Sequence, residues 1–359
     1  MADFMTASEY DVYFTINIEG SVYDVTGLTK QITITTAWRG APGKLEALLV
    51  DDPYDPMTAV LEGSQVILMV NGIGYFKGYI FEIVADQLDV FKITAYDSLR
   101  FMQNTDTLWF DREKTAHEIF EQVTERAGVS SRVHTPDSTP YRPTSGRRFH
   151  NETFYNMVQE AIFNSNIEEN MQYYLRDEFG TLVFTELKEN LKPITIGYEE
   201  LMLSYMYGRS INFDVYNSVK VTRDNADIGE MESWVVYDSG NISKWGKLHK
   251  SVAVGEDSTE EYARAKAASL LAYHNRTRRR LKSTFLGHLA IIQAGDGFIV
   301  DIPRHGIRHN IWTIRMTQQF RPSEHLCEVE AFITEDFAEG ADPEALRRYV
   351  SSLPREPLL

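Results

Sequence analysis

Cysteine is nearly absent. Cys327 is the only one in 359 residues, so no intrachain disulfide and no cysteine-rich zinc cluster can form. Long apolar runs are missing too: the longest, Val66 to Val70, falls far short of the ~20 residues that span a bilayer. Met1-Ala2-Asp3-Phe4 opens without a basic region leading into an apolar stretch, so no secretory signal is expected and folding in the cytoplasm is. Positive charge is in deficit, with Lys plus Arg 36 against Asp plus Glu 52 and a net charge of −16. That balance opposes extended contact with nucleic-acid phosphates or anionic lipid. Gly-x-Ser-x-Gly, Walker A and His-Glu-x-x-His strings do not occur, which removes the sharper signatures of hydrolase, nucleotidase and metalloprotease chemistry.

Apolar residues make up 43% of the chain, enough for buried cores, and the length predicts two or three domains of roughly 150 residues. Tyr10, Val12, Phe14, Ile16 and Ile18 alternate with Asp11, Tyr13, Thr15 and Asn17, and Ile32 and Ile34 alternate with Gln31, Thr33 and Thr35. This period of two belongs to strands with one buried face. Further runs at 45–50, 66–70, 75–83 and 88–95, separated by turns such as Asp51-Asp52-Pro53, predict a small antiparallel barrel or sandwich over residues 1–112.

From residue 113 the period lengthens. Thr115-Ala116-His117-Glu118 fits a capping box, Ile119, Phe120, Val123 and Ala127 share a helical face, and Gly128 ends it. Residues 129–150, with three prolines and Arg132, Arg142, Arg147 and Arg148, read as an exposed basic loop. A second helix from about Asn151 places Phe154, Val158, Ala161 and Ile162 on its apolar side, and a hairpin turns at Asp177-Glu178-Phe179-Gly180. Residues 113–204 therefore form an expected α+β domain.

Strands return over 205–335, at 215–222, 233–237, 282–287, 297–302, 311–316 and 326–333, as an expected second barrel. A helix at 258–275 interrupts it, capped by Ser258-Thr259-Glu260-Glu261 and packing through Ala263, Ala267, Leu270, Leu271 and His274. Residues 336–359 read as a short helix and a loose tail. Gly63-Ser64-Gln65-Val66-Ile67-Leu68 and Gly295-Asp296-Gly297-Phe298-Ile299-Val300 each lead into a strand, a glycine turn and two more strands, an internal echo of two related barrels.

Candidate chemistry is thin. His305 and His309 have a helical metal-pair spacing, but Pro303 and Gly306 make the stretch a turn. His117 and His274 read as packing or capping residues. Asp51-Asp52 and Glu199-Glu200 are acid pairs of the type glycosidases use, yet in so acidic a chain they read as turn and surface residues. Arg276, Arg278, Arg279, Arg280 and Lys282 form the one dense basic run. It lacks interleaved aromatics and reads as a salt-bridged subunit contact, not a nucleic-acid site. No catalytic, cofactor-binding or metal-binding residue is expected. Tyr96 is expected to pack on the barrel end, and Asp97 to cap the turn that follows with its side-chain oxygen.

Gly63-Ser64-Gln65-Val66, Tyr75-Phe76-Lys77-Gly78-Tyr79-Ile80, Ile93-Thr94-Ala95-Tyr96-Asp97-Ser98-Leu99-Arg100-Phe101-Met102-Gln103-Asn104 and the helix after Thr115 together resemble XkdQ/YqbQ-type proteins, the baseplate hub family of contractile phage tails and phage-tail-like particles. Tyr173-Tyr174-Leu175-Arg176-Asp177-Glu178-Phe179-Gly180 and Asn217-Ser218-Val219-Lys220-Val221 are similar as well. Gly78, Tyr96, Asp97 and Arg100 mark the most specific string. The resemblance implies a mainly β fold with an α+β insertion: two tail-tube-like antiparallel β-barrels with the α+β domain between them. It implies a non-enzymatic homotrimer that joins a sixfold tail tube to a threefold central spike. Tube or tube-initiator, spike and tape-measure proteins, and wedge or LysM-type baseplate proteins, would be its partners. It implies synthesis in the bacterial host cytoplasm and incorporation in a baseplate, with neither stable nucleic-acid binding nor membrane insertion. The rival readings are a tail-associated peptidoglycan hydrolase or its carrier, which would turn over cell wall, and a carbohydrate-binding β module, which would retain glycan as a monomer.

Overall fold

The chain is seen in a computed structural model that describes residues 11–38, 41–50, 60–85, 90–110, 114–136, 140–141, 147–169, 173–197, 202–212, 215–225, 229–255, 259–286, 292–322 and 324–333. Seven antiparallel strands build the first β unit: β1 Val12–Ile18, β2 Ser21–Asp24, β3 Thr29–Ala37, β4 Lys44–Val50, β5 Gln65–Val70, β6 Ile73–Ala85 and β7 Val90–Tyr96. They pair in the order β2-β1-β5-β6-β7-β4-β3. The alternation seen in the sequence becomes an inside and an outside: Phe14, Ile16, Ile32, Leu45, Leu68, Ile93 and their neighbours converge on one core. Asn71 and Gly72, both left-handed, close the β5–β6 hairpin, the Asn-Gly turn whose twist suits paired strands.

The α+β unit begins earlier than the sequence indicates. Leu99, Met102 and Phe110, expected in the first barrel, instead join the core of this second unit. Its elements are β8 Thr105–Phe110, β9 Lys114–Thr115, α1 Ala116–Ala127, β10 Ser131–Val133, β11 Pro140–Tyr141, β12 Arg147–Thr153, α2 Phe154–Glu169, β13 Tyr173–Glu178 and β14 Thr181–Glu186. The capping box forms as expected. The Glu118 amide donates to Thr115 Oγ1 at 3.3 Å, the Thr115 amide donates to Glu118 Oε2 at 2.8 Å, and Gly128 ends α1 in the left-handed region. Residues 129–150 are not simply a loop, because β10 pairs with β14, β11 with β9 and β12 with β8. Phe179 and Gly180, both left-handed, make the β13–β14 turn.

The remaining elements are β15 Leu191–Gly197, β16 Met202–Ser210, β17 Ser218–Asn225, β18 Glu230–Tyr237, α3 Ser239–Trp245, β19 His249–Val254, α4 Glu260–His274, β20 Arg278–Leu286, β21 Gly297–Ile302, β22 Ile307–Arg321 and β23 Glu324–Ile333. Here the structure departs from the sequence reading. Strands β17 and β18, expected in the second barrel, form a separate sheet with β19, and α4 packs on it through Ala263, Ala267 and Leu270. The insertion is therefore a small α+β unit and not a helix. Its helix is capped by Thr259, whose Oγ1 accepts from the Tyr262 amide at 3.1 Å; Ser258 lies outside the described residues. The second β unit is built from β15, β16 and β20–β23 around its own core.

The two β units share one sheet because β22 is long. Its first half, Ile307–Trp312, pairs with β21, and its second half, Arg315–Phe320, pairs with β3 of the first unit. Phe320 ends up in the first unit's core. No helix among the described residues is long and apolar enough to cross a membrane.

Candidate functional site

The Gly78–Arg100 string lies where β7 ends against the middle of β6 and the chain passes into the α+β unit. Gly78 is required by a close approach, since a Cβ there would overlap the carbonyl oxygen of Tyr96. Tyr96 packs edge-to-face on Phe81, ring centroids 5.5 Å apart, and the Arg100 guanidinium sits 5.2 Å from the Phe81 ring centre, a cation–π geometry. Phe81, at the bulge in the middle of β6, is 38% exposed, so this cluster stands at the surface.

Asp97 points the other way. Its Oδ1 accepts from the Leu99 amide at 3.0 Å, capping the 3₁₀ turn Ser98–Gln103, and its Oδ2 accepts from the Gly43 amide at 2.8 Å. Asp177, from the α+β hairpin, reaches the same turn: its Oδ2 accepts from the Ser98 amide at 3.2 Å and its Oδ1 from the Gly180 amide at 2.7 Å. Two carboxyl groups from two units thus hold adjacent amides. Burial raises Asp97 well above the ordinary carboxylate range, the Asp177 charge adds to the rise, and the Gly43 and Leu99 amides oppose it. Burial likewise pushes Asp177 to about 6 against the pull of the Gly180 and Ser98 hydrogen bonds.

The second β unit meets both at the same place. Arg176 Nη1 lies 2.8 Å from Asp296 Oδ1 and also binds Glu178, and Lys192 Nζ lies 3.5 Å from Asp296. Burial raises the Asp296 carboxyl despite Arg176 and Lys192. Burial opposes the charge of Arg176, yet Tyr174, Asp296 and Glu178 hold its guanidinium above the ordinary value. The Ala294 amide donates to Thr36 Oγ1 at 2.9 Å, and Tyr75 and Gln318 both donate to the Ile292 carbonyl. A cavity of about 30 Å³ lies between, bordered by Thr36, Tyr75, Asp97, Arg176, Asp177 and Gln293. That is room for a water and not for a metabolite. The buried Arg176–Asp296 ion pair and the amides held by Asp97 and Asp177 tie three units together at this point.

Most of the basic run is withdrawn from the surface, and only Lys282 of it is exposed. Arg278 is 8% exposed, with Nη2 3.2 Å from His274 Nδ1, and His274 Nε2 lies 2.8 Å from the Tyr216 hydroxyl. Because Arg278 can only donate, Nδ1 of His274 accepts and its proton sits on Nε2. Arg279 and Arg280 continue into β20, half-buried, and Arg276 lies in the turn before it. His305 ends a short turn beside Tyr205 and Tyr207, and His117 Nδ1 lies 2.9 Å from Thr115 Oγ1. Among the described residues no three His, Cys, Asp or Glu side chains group as metal ligands. Asp51, Asp52, Glu199, Glu200, Arg142 and the tail 336–359 lie outside the described residues. Sequence reasoning missed the roles of Asp177, Arg176 and Asp296. The one local signal was an Asp three residues before a hairpin glycine.

A family model described as YQBQ-like matches residues 32–331. No curated protein matches this chain. Among solved structures, the 43 kDa tail protein of prophage MuSo2 from Shewanella oneidensis is similar with a TM-score of 0.69 at 13% identity, over 91% of this chain and 100% of that one. A tail protein from Neisseria meningitidis gives 0.68 at 13% identity, over 92% and 98%. An E. coli type VI secretion component, described as structurally similar to the T4 phage tail proteins gp27 and gp5, gives 0.55 at 11% identity, over 91% and 78%. At such identities the likeness is one of fold.

Proposed function

Since the chain belongs to the YQBQ-like family, whose model spans residues 32–331, and has the fold of phage tail proteins, we propose that it is a structural hub subunit of a contractile tail or tail-like particle. Three copies form a ring that joins the sixfold tube to the threefold central spike. The observation that carries this reading is the splice at β22, which sets two β units edge to edge in one chain. Three such chains present six units to the tube while keeping threefold symmetry towards the spike. The mechanism is geometric: the Asp97, Asp177 and Arg176–Asp296 junction holds the units at fixed angles, and the sheet edges recruit neighbours. Tube or tube-initiator, spike and tape-measure proteins are the partners, and no turnover is expected. Synthesis in the host cytoplasm precedes incorporation in the baseplate. Light scattering after size exclusion tests the reading. A species of three times 41.2 kDa, formed by the protein itself or on adding its spike, supports it. A stable dimer, or a closed ring of six copies, contradicts it.

A further inference from the structure

The two β units repeat one another in detail. Gly63 donates to the Ile80 carbonyl at 2.7 Å and Ile80 donates back to Ser64 at 2.9 Å; Gly295 donates to Thr313 at 2.8 Å and Thr313 donates back to Asp296 at 3.0 Å. Immediately after these points both long strands bulge, β6 at Phe81 and β22 at Ile314. The neighbouring strands match as well: β4 pairs with β7 as β20 pairs with β23, and β3 and β16 carry bulges at corresponding places, between Thr29 and Gln31 and between Met202 and Ser204. In this correspondence β6 stands for β22, and β16 stands for β3.

The correspondence breaks at one step. The outer half of β22 is covered by β3. The outer half of β6, residues 81–85, has β7 on one side and, among the described residues, no strand on the other. The strand equivalent to β3, β16, ends the sheet beyond β20. Burial follows the pairing: Ile314 is fully buried, whereas its counterpart Phe81 is 38% exposed, and Val84 and Met206 on the two unpaired edges are 50% and 71% exposed. Both edges leave their backbone donors and acceptors open among the described residues, which is what an added strand pairs with.

We propose that β16 of one copy adds antiparallel to residues 81–85 of β6 in the next copy, in the register that β3 takes on β22. Arg315 lies opposite Ala37 and Thr317 opposite Thr35, so Glu82 faces Ser210 of the neighbouring copy and Val84 faces its Gly208. Each copy then repeats between chains the splice it already makes within itself. The contact is head-to-tail and closes a ring when the rotation allows. Closure at three copies rests on the proposed hub reading; the pairing itself does not.

Disulfide trapping tests it. Thr35 Oγ1 and Thr317 Oγ1, the intrachain counterparts, lie 3.4 Å apart, so cysteines at the corresponding sites are within bonding reach. Gly208 has no atom within 4 Å of an added Cβ, which makes it a tolerant site. The full-length Val84→Cys/Gly208→Cys variant, mildly oxidised, should run as a covalent oligomer on a non-reducing denaturing gel, at least tenfold above the register-shifted Val84→Cys/Arg209→Cys control. Each single variant should stay monomeric, because the native thiol of Cys327 is buried. Oligomers in light scattering without the specific crosslink overturn the edge pairing and leave the hub reading standing. A specific crosslink in a ring of another size keeps the pairing and overturns the count of three. Monomers at every concentration, or Gly208→Cys crosslinking in assembled tails to a different protein, overturn the pairing.

Discussion

Asp177→Asn should flatten the pH dependence of stability. In the folded chain Asp177 holds its proton to about 6, while in the unfolded chain it releases it near 4. Between these values the folded state binds more protons at this group, so its contribution to stability is full below about pH 4 and is lost as pH rises to about 6. A rise of about 2 pKa units corresponds to about 3 kcal/mol for this buried group. Asp97, raised by burial and by the Asp177 charge, extends the loss to higher pH. The asparagine offers one acceptor oxygen where the Ser98 and Gly180 amides use two, so the variant should be about 1–3 kcal/mol less stable on the acid side. Its slope is the decisive quantity. Carboxylates such as Glu118, held low by the Thr115 amide, pull the opposite way in both proteins and cancel in the comparison. Urea unfolding followed by tryptophan fluorescence from pH 4.5 to 7.5 should show the two stabilities converging as pH rises. Parallel curves would refute a buried, proton-holding carboxyl at this junction.

Asp97→Ala should orphan the Gly43 and Leu99 amides and lower stability by about 2–4 kcal/mol, read as a lower Tm; an unchanged Tm with lost assembly would make the string a contact surface instead. Gly78→Ala should cost about 1–3 kcal/mol or prevent folding, because the added methyl overlaps the Tyr96 carbonyl. His274→Ala should lower stability by about 2–4 kcal/mol through loss of the fully buried ring and its Tyr216 and Arg278 contacts, and circular-dichroism melts would report it. The purified protein should neither release soluble fragments from cell wall nor retain DNA in a gel-shift assay at moderate salt.

Much of this fold was legible because its signals are local. The Thr115–Glu118 capping box, the alternation of β1 and β3 and the hairpin at Phe179-Gly180 each follow from residues a few positions apart. The echo between Gly63 and Gly295 was visible as a handful of letters, and the structure gives it matching hydrogen bonds and bulges. What stayed hidden depends on partners distant in sequence. Strands β17 and β18 alternate like barrel strands, and nothing local says that they pack under α4 instead. The short strands β10, β11 and β12 exist through pairing with β14, β9 and β8, which a proline- and arginine-rich composition conceals. Asp177 and Asp296 resemble any turn aspartate of an acidic chain until three units close around them. The arginines at 278–280 look like a surface run because a strand that enters a sheet beside a buried histidine has no distinctive spelling.

Cryo-electron microscopy of the assembled particle tests the central claim most directly. The account predicts three copies of this chain in one ring at the tube's end, their six β units coaxial with the tube and the spike seated on the opposite face. Six copies in that ring, or density for this chain at the baseplate periphery with another protein between tube and spike, would contradict it.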